Sequence, residues 1–321
     1  MDISEALTGP ARRLAEELAE DGVTLPGGPD VAALVIDELD HARRIPVFEG
    51  RRPVYGSFVL PHRGGLDPQA GPLDILDLDG LDLGSARSYA DGRSAFLLRC
   101  PGVDPVLACF DRSVQYEADL VRIQELTGAE IIQRTPVLRA VRLFTRGAVV
   151  AWDGRNWIAR PTASAVLPAL RACAPGLRLD VARGLLDLAV HWLAPARIGA
   201  SLVVYDADVE WGALDMGSAA RTPALSLTNH RHFPALFAAL QQHDLAVLVS
   251  AEGRVGHLGV GLLASPEATS TVTDQRGMRH RSAQRFSFDQ PSATVVVVSE
   301  DGPVTVFRGG RPIEIQSVPC V

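Results

Sequence analysis

Apolar positions recur with two different periods along this chain. Asp2-Ile3-Ser4-Glu5 has the form of a capping box opening a helix toward Glu20. Pro29-Asp30 starts a second helix, whose Val31, Leu34, Val35 and Leu39 return every three or four positions, the stripe of a helix lying on a core. The period then shortens. Residues 54–60, 95–98 and 103–110 are short apolar runs set in a stretch rich in Gly and Asp, and residues 113–126 return to helical spacing. Residues 137–144 and 148–152 predict strands, with Asp153-Gly154 as a tight turn into a returning strand at 156–159.

Beyond Arg160-Pro161 the alternation of elements is clearer. Helices are predicted at 163–174 and 179–193, separated by Pro175-Gly176, followed by a buried strand at 200–205. A helix around 233–241 leads to a strand at 245–250 with a hairpin partner at 254–263. Gly277 opens a further helix, and the β-branched run 294–298 ends in the turn Ser299-Glu300-Asp301-Gly302 before a last strand at 304–307. With 321 residues, two domains are the natural organisation, 1–162 and 163–321. The fold class expected is α/β, α+β-like: a C-terminal mixed β-sheet flanked by helices, preceded by a smaller mixed α+β domain. No internal repeat is present.

Composition narrows the chemistry. Hydrophobic residues at 47% and charged residues at 21% are those of a folded globular chain. A net charge of -7 argues against nucleic acid or anionic membrane as partner. The 31 basic residues are all arginine, so no lysine can hold a phosphate or form a Schiff base, and anions must be met by arginine or backbone. The four cysteines show neither a C-x-x-C pair nor zinc-like spacing with histidine. No apolar run approaches the roughly 18 to 20 residues of a membrane span, and a cytoplasmic protein is expected.

Three segments carry the candidate chemistry. His243-Asp244 stands at a strand entrance, where a carboxylate can hold a divalent metal or take a hydroxyl proton, or can simply serve a turn. Gly277-Met278-Arg279-His280-Arg281-Ser282 stands at a glycine-led helix start, whose free N–H groups and dipole favour an anion; the plain alternative is a solvated basic helix end. Ser299-Glu300 follows the most apolar strand. Asp74, Asp77, Asp79 and Asp82 lack the spacing of a calcium loop and read as a solvated acidic loop. Trp152, Asp153, Arg155 and Trp157 read as a hairpin rather than a ligand cage, and His230 and His232 lack a third ligand for zinc.

The order His-Asp-x-Ala, Arg-His-Arg-x-Ala, Ser-Glu is more specific than any one piece. Through it, residues 165–312 resemble the diadenylate cyclase (DAC, or DisA_N) domain, whose signatures are an Asp-Gly-Ala strand start, Gly-Thr-Arg-His-Arg-x-Ala and a Ser-Glu turn. The resemblance implies an enzyme that joins two ATP into cyclic di-AMP across a face-to-face homodimer. It implies Asp244 and Glu300 as catalytic groups, with His243, Asp244 and Glu300 toward Mg2+ or Mn2+. Leu245, Ala246, Gly277, Met278, Arg279, His280, Arg281, Ser282 and Ser299 would hold the nucleotide, with Leu262 and Leu263 as apolar walls for its ring. Leu245 stands at the family's glycine and Met278 at its threonine, which leaves open a catalytically weak nucleotide sensor using the same pocket. The preceding domain resembles by its position a sensor region, DACNV, found before some cyclase domains.

Overall fold

Helices α1 (Gly9–Glu20) and α2 (Pro29–Arg44) bury the stripes their spacing encodes: Leu14 and Leu18 from the first, Val31, Val35 and Leu39 from the second. They belong to a computed structural model that describes residues 9–25, 27–47, 49–50, 53–62, 73–114, 116–136, 141–152, 154–205, 211–273, 277–300 and 304–314. Asp2 to Glu5, the expected capping box, lie outside the described residues. The chain divides into two units that meet in sequence between Pro161 and Thr162, so the first is as long as the second rather than smaller.

The strands of the first unit are β1 (Tyr55–Val59), β2 (Leu73–Asp77), β3 (Ala95–Cys100), β4 (Val103–Phe110), β5 (Glu130–Arg134), β6 (Val141–Thr145), β7 (Ala148–Trp152) and β8 (Trp157–Pro161). They form one mixed sheet in the order β2-β4-β3-β1-β5-β6-β7-β8. The short helices α3 (Leu83–Arg87) and α4 (Glu117–Thr127) complete the unit. The period of two decides which face each side chain joins. In β1, Tyr55 and Val59 pack with α1 and α2, while Phe58 joins Leu120 and Ile123 of α4 beneath the opposite face. Each such buried side chain contributes about 1.5 to 3 kcal/mol relative to exposure.

One expectation changes in this unit. The acidic stretch is not a loop throughout: Asp74 and Asp77 lie on β2, a solvent-facing edge strand, and the Asp82 carboxylate accepts the Ser85 N–H at 2.9 Å, capping α3. An edge strand with little to bury carries no apolar alternation that would distinguish it from a loop. The hairpin of β7 and β8 is as expected, with Trp152 opposite Trp157 and the Arg43 guanidinium 4.3 Å from the Trp152 ring centre. Asp153 lies outside the described residues. Cys100, Cys109 and Cys173 are free thiols.

Buried charge is answered at Glu117 and, among the described residues, has no cationic partner at Glu130. Glu117 pairs with Arg142 at 3.2 Å and Arg160 at 2.9 Å. Glu130, at the start of β5, has no cation to answer it among the described residues, and burial pushes its carboxyl up to about 7. A raised carboxyl pKa means its contribution to stability is fully present below about 4.5 and is lost as pH rises through 7. Glu130→Gln is therefore expected to leave stability nearly unchanged at pH 4 and to raise it by up to about 3 kcal/mol at pH 8, read from denaturant melts of the full chain at the two pH values.

The second unit opens with α5 (Ala163–Cys173) and α6 (Leu179–Asp187), the latter continuing as a π-helical turn at Leu188–Leu193. Its strands are β9 (Ala200–Tyr205), β10 (Leu214–Asp215), β11 (Ala220–Arg221), β12 (Ala246–Ser250), β13 (Val255–Leu262), β14 (Thr294–Val298), β15 (Val304–Arg308) and β16 (Arg311–Glu314). Three helices interleave with them: α7 (Phe233–Leu240), α8 (Pro266–Thr271) and α9 (Met278–Asp289). The sheet runs β10-β13-β12-β9-β14-β15-β16, with β11 also pairing β13. Ala283 and Phe286 of α9 join Val203, Leu248, Val295 and Val297 in the core beneath this sheet.

Pairing direction fixes where the chain's ends of strand arrive. Strands β9 and β12 are parallel, with Ala246 beside Ser201, while β13 and β14 are antiparallel to their neighbours. The beginnings of β9 and β12 and the ends of β13 and β14 therefore share one edge. No described helix is long and apolar enough to cross a membrane.

Candidate functional site

A cavity of about 470 Å³ opens at that shared edge, within the range of small-molecule pockets. Asp244, Leu245 and Ala246 enter it from the start of β12, Leu262 from the end of β13, and Ser299 and Glu300 from the end of β14. The N-terminus of α9 supplies Gly277, Met278, Arg279, His280 and Ser282. Four segments far apart in sequence thus meet because strand direction brings their ends together.

Arg279 is the hub of the cluster. Its Nη2 donates to Asp244 Oδ1 at 2.9 Å and its Nη1 donates to Glu300 Oε1 at 3.1 Å. The two carboxylates are 74% and 70% exposed and the arginine 30%, so this is a solvent-facing triad at the cavity mouth. The Leu245 backbone N–H and the Arg279 guanidinium together hold the Asp244 carboxyl below the usual carboxylate range. Asp244 is consequently ionised through the neutral range, as a metal ligand or proton acceptor must be.

Helix geometry sorts the Arg-His-Arg run. Arg279 and Arg281 lie about 200° apart around α9, and of the two only Arg279 lines the cavity. The His280 ring also meets Phe307 edge-on with centroids 5.9 Å apart. Leu263 and His243 fall outside the lining, although each adjoins a residue inside it. The His243 N–H closes the end of α7 by donating to the Ala239 carbonyl. Sequence reasoning missed Ser201, Val260 and Gly261, which line the cavity. Ser201 left a signal: it is the polar position in the otherwise apolar β9.

Leu245 adopts φ +69° and is 47% exposed at the cavity wall. That left-handed backbone costs an L side chain about 1 to 2 kcal/mol, and a half-exposed leucine recovers little of it by burial. Leu245→Gly is expected to stabilise the second unit by about 0.5 to 1 kcal/mol, seen as a melting midpoint roughly 1 to 4 °C higher.

Among the described residues, no group of three or more His, Cys, Asp or Glu is arranged around one metal position. In the region of the histidines first weighed for zinc, His232 Nδ1 accepts the Ser226 N–H at 3.0 Å. Asp244 and Glu300 offer a hard divalent cation carboxylate oxygens, the donor type that Mg2+ and Mn2+ take. Such cations commonly bind one or two carboxylates and complete their shell with phosphate and water.

Residues 187–312 match the family model DAC, described as DisA bacterial checkpoint controller nucleotide-binding. Residues 12–160 match the model "Probable sensor domain DACNK", rather than DACNV. Among solved structures, a Bacillus cereus protein titled a hypothetical membrane spanning protein is 20% identical, with TM-score 0.32, over 47% of this chain and 74% of that one. DacA from Staphylococcus aureus, as a double cysteine mutant, is 18% identical, with TM-score 0.32, over 47% of this chain and 90% of that one. No curated protein matches the chain.

Proposed function

We propose that the second unit is a diadenylate cyclase, condensing two ATP into one cyclic di-AMP with release of two pyrophosphates. The observation that carries this reading is the convergence of Asp244, Glu300 and Arg279 on one cavity at the N-terminus of α9. The reaction needs a 3'-hydroxyl aimed at an α-phosphorus, cationic groups around the phosphates, and a base or metal at the attacking oxygen. It needs no covalent protein intermediate.

The α9 N-terminus offers backbone N–H groups and Ser282 to the phosphates, and Arg279 adds a bidentate guanidinium. Leu262 and Ala246 give the base an apolar wall. Asp244, ionised and at the mouth, orients or deprotonates the 3'-hydroxyl presented there. Mg2+ or Mn2+ held by Asp244 and Glu300 would lower the cost of charge developing on the oxygens in flight. Each copy holds one nucleotide, so the attacking hydroxyl on one nucleotide meets the α-phosphate held by a facing copy. The first unit would act as the regulatory part of the protein.

A second reading has its own support. Leu245 places a side chain where the family motif has none, in a strained backbone at the cavity wall. A nucleotide-binding sensor of low turnover would tolerate that crowding, whereas an enzyme would have to work around it. Incubating purified protein with ATP and Mn2+ or Mg2+ and resolving the products by chromatography separates the two. Cyclic di-AMP supports the cyclase, and saturable ATP binding without product over long incubation supports the sensor. Product gained only in Leu245→Gly would identify the crowding as the cause.

A further inference from the structure

We propose that Arg279 and a divalent cation are alternative occupants of the Asp244 and Glu300 pair, so that cation binding releases the guanidinium toward phosphate. This deepens the nucleotide-site reading above and rests on it. Both carboxylates, though largely exposed, each commit an oxygen to the same guanidinium, at 2.9 and 3.1 Å. These are the only two carboxylates lining the cavity among the described residues, and a hard cation would seek the same oxygens.

The guanidinium sits in a seat shaped for it. A Cβ at Gly199, the residue before β9, would lie 2.1 Å from Arg279 Nη1 and 2.7 Å from Cζ, and 3.1 Å from Glu300 Cγ. Only a residue without a side chain leaves room for the arginine between the two acids. Arginine does not lose its proton in proteins, so it cannot yield to a second cation by neutralising; it yields by swinging away. Its position in the first turn of α9 puts the phosphate-binding N–H groups within the same cavity. Cation and phosphate then favour each other's binding, and the coupling is reciprocal. Before the cation arrives, the protein neutralises its own acids.

The test is calorimetric titration of the full chain with Mn2+ alone, no nucleotide present. Arg279→Gln removes both the latch and its charge, while Gly199→Ala and Arg279→Lys keep the charge and disrupt the two-pronged seat. All three are expected to bind Mn2+ roughly three- to tenfold more tightly than wild type, the range of two solvent-exposed ion pairs relinquished. Thermal melts check folding, and Arg279→Lys stands in should Gly199→Ala not fold. Affinity equal to or weaker than wild type in the folded charge-preserving variants overturns the proposal, as does an absence of saturable Mn2+ binding in Arg279→Gln. Tightened Mn2+ binding in the variants, with no cyclic di-AMP made by the wild type, would leave the exchange standing and remove the cyclase reading alone.

Discussion

Asp244→Asn is expected to cut formation of cyclic di-AMP from ATP by on the order of 10³-fold while leaving the protein folded. Asparagine keeps an oxygen that can accept the Leu245 N–H, so the entrance to β12 retains its local bond. What it loses is the anion: no proton acceptor at the 3'-hydroxyl, one carboxylate fewer for a cation, and an acid removed from Arg279. Because the triad is solvent-facing, its loss costs little stability, and the second unit should keep its stability within roughly 1 kcal/mol. Product chromatography over time reads the effect. A variant retaining more than a tenth of wild-type turnover would remove Asp244 from the chemistry.

The largest effect on stability is expected in the first unit, at Glu38. Its fully buried carboxylate accepts from Arg87 at 2.8 Å, from Arg99 and from the Tyr55 hydroxyl, tying α2 to α3, β3 and β1. Burial, and then the charge of Glu38, raises the Tyr55 hydroxyl far above its ordinary range, so it stays a donor. Glu38→Ala leaves two guanidinium groups, only 11% and 12% exposed, with Asp37 alone among the described residues to answer them. Removing one partner of a buried pair strands the other charge, at about 3 to 5 kcal/mol. For a unit of this length that is a fall of roughly 6 to 20 °C in the melting midpoint. Glu38→Gln should fall less, since an amide oxygen can still accept from Arg87. Scanning calorimetry of both variants checks this, and equal midpoints for wild type and Glu38→Ala would contradict it.

Legibility followed burial. The run 294–298 reads as a strand from sequence because every residue of β14 is buried and β-branched, and the stripes of α2 and the apolar run behind β1 are equally plain. The strand β2 was missed because Leu73-Asp74-Ile75-Leu76-Asp77, which among the described strands pairs with β4 alone, faces water, leaving the acids no pattern to betray them. At the site, the motif order points to the residues that the cavity gathers. It could not say that Arg279 rather than Arg281 lines the cavity, which depends on how α9 is rotated over the sheet. Nor could it show that Arg279 is held between Asp244 and Glu300. That contact arises from the antiparallel run of β14, which returns Glu300 to the edge where β12 begins, and from the missing side chain at Gly199. Leu245 is an instructive middle case: its departure from the glycine of the motif was visible, and the positive φ supplies the physical cost of that departure.

The most direct test of the nucleotide site is a crystal structure of the full chain with 3'-deoxy-ATP and Mn2+, a ligand lacking the attacking hydroxyl and so unable to react. The account predicts the triphosphate against the first turn of α9, with Mn2+ on Asp244 and Glu300 and Arg279 turned from those acids to the phosphates. Nucleotide bound away from this cavity, or Arg279 still joined to both carboxylates beside a bound Mn2+–triphosphate, would contradict it.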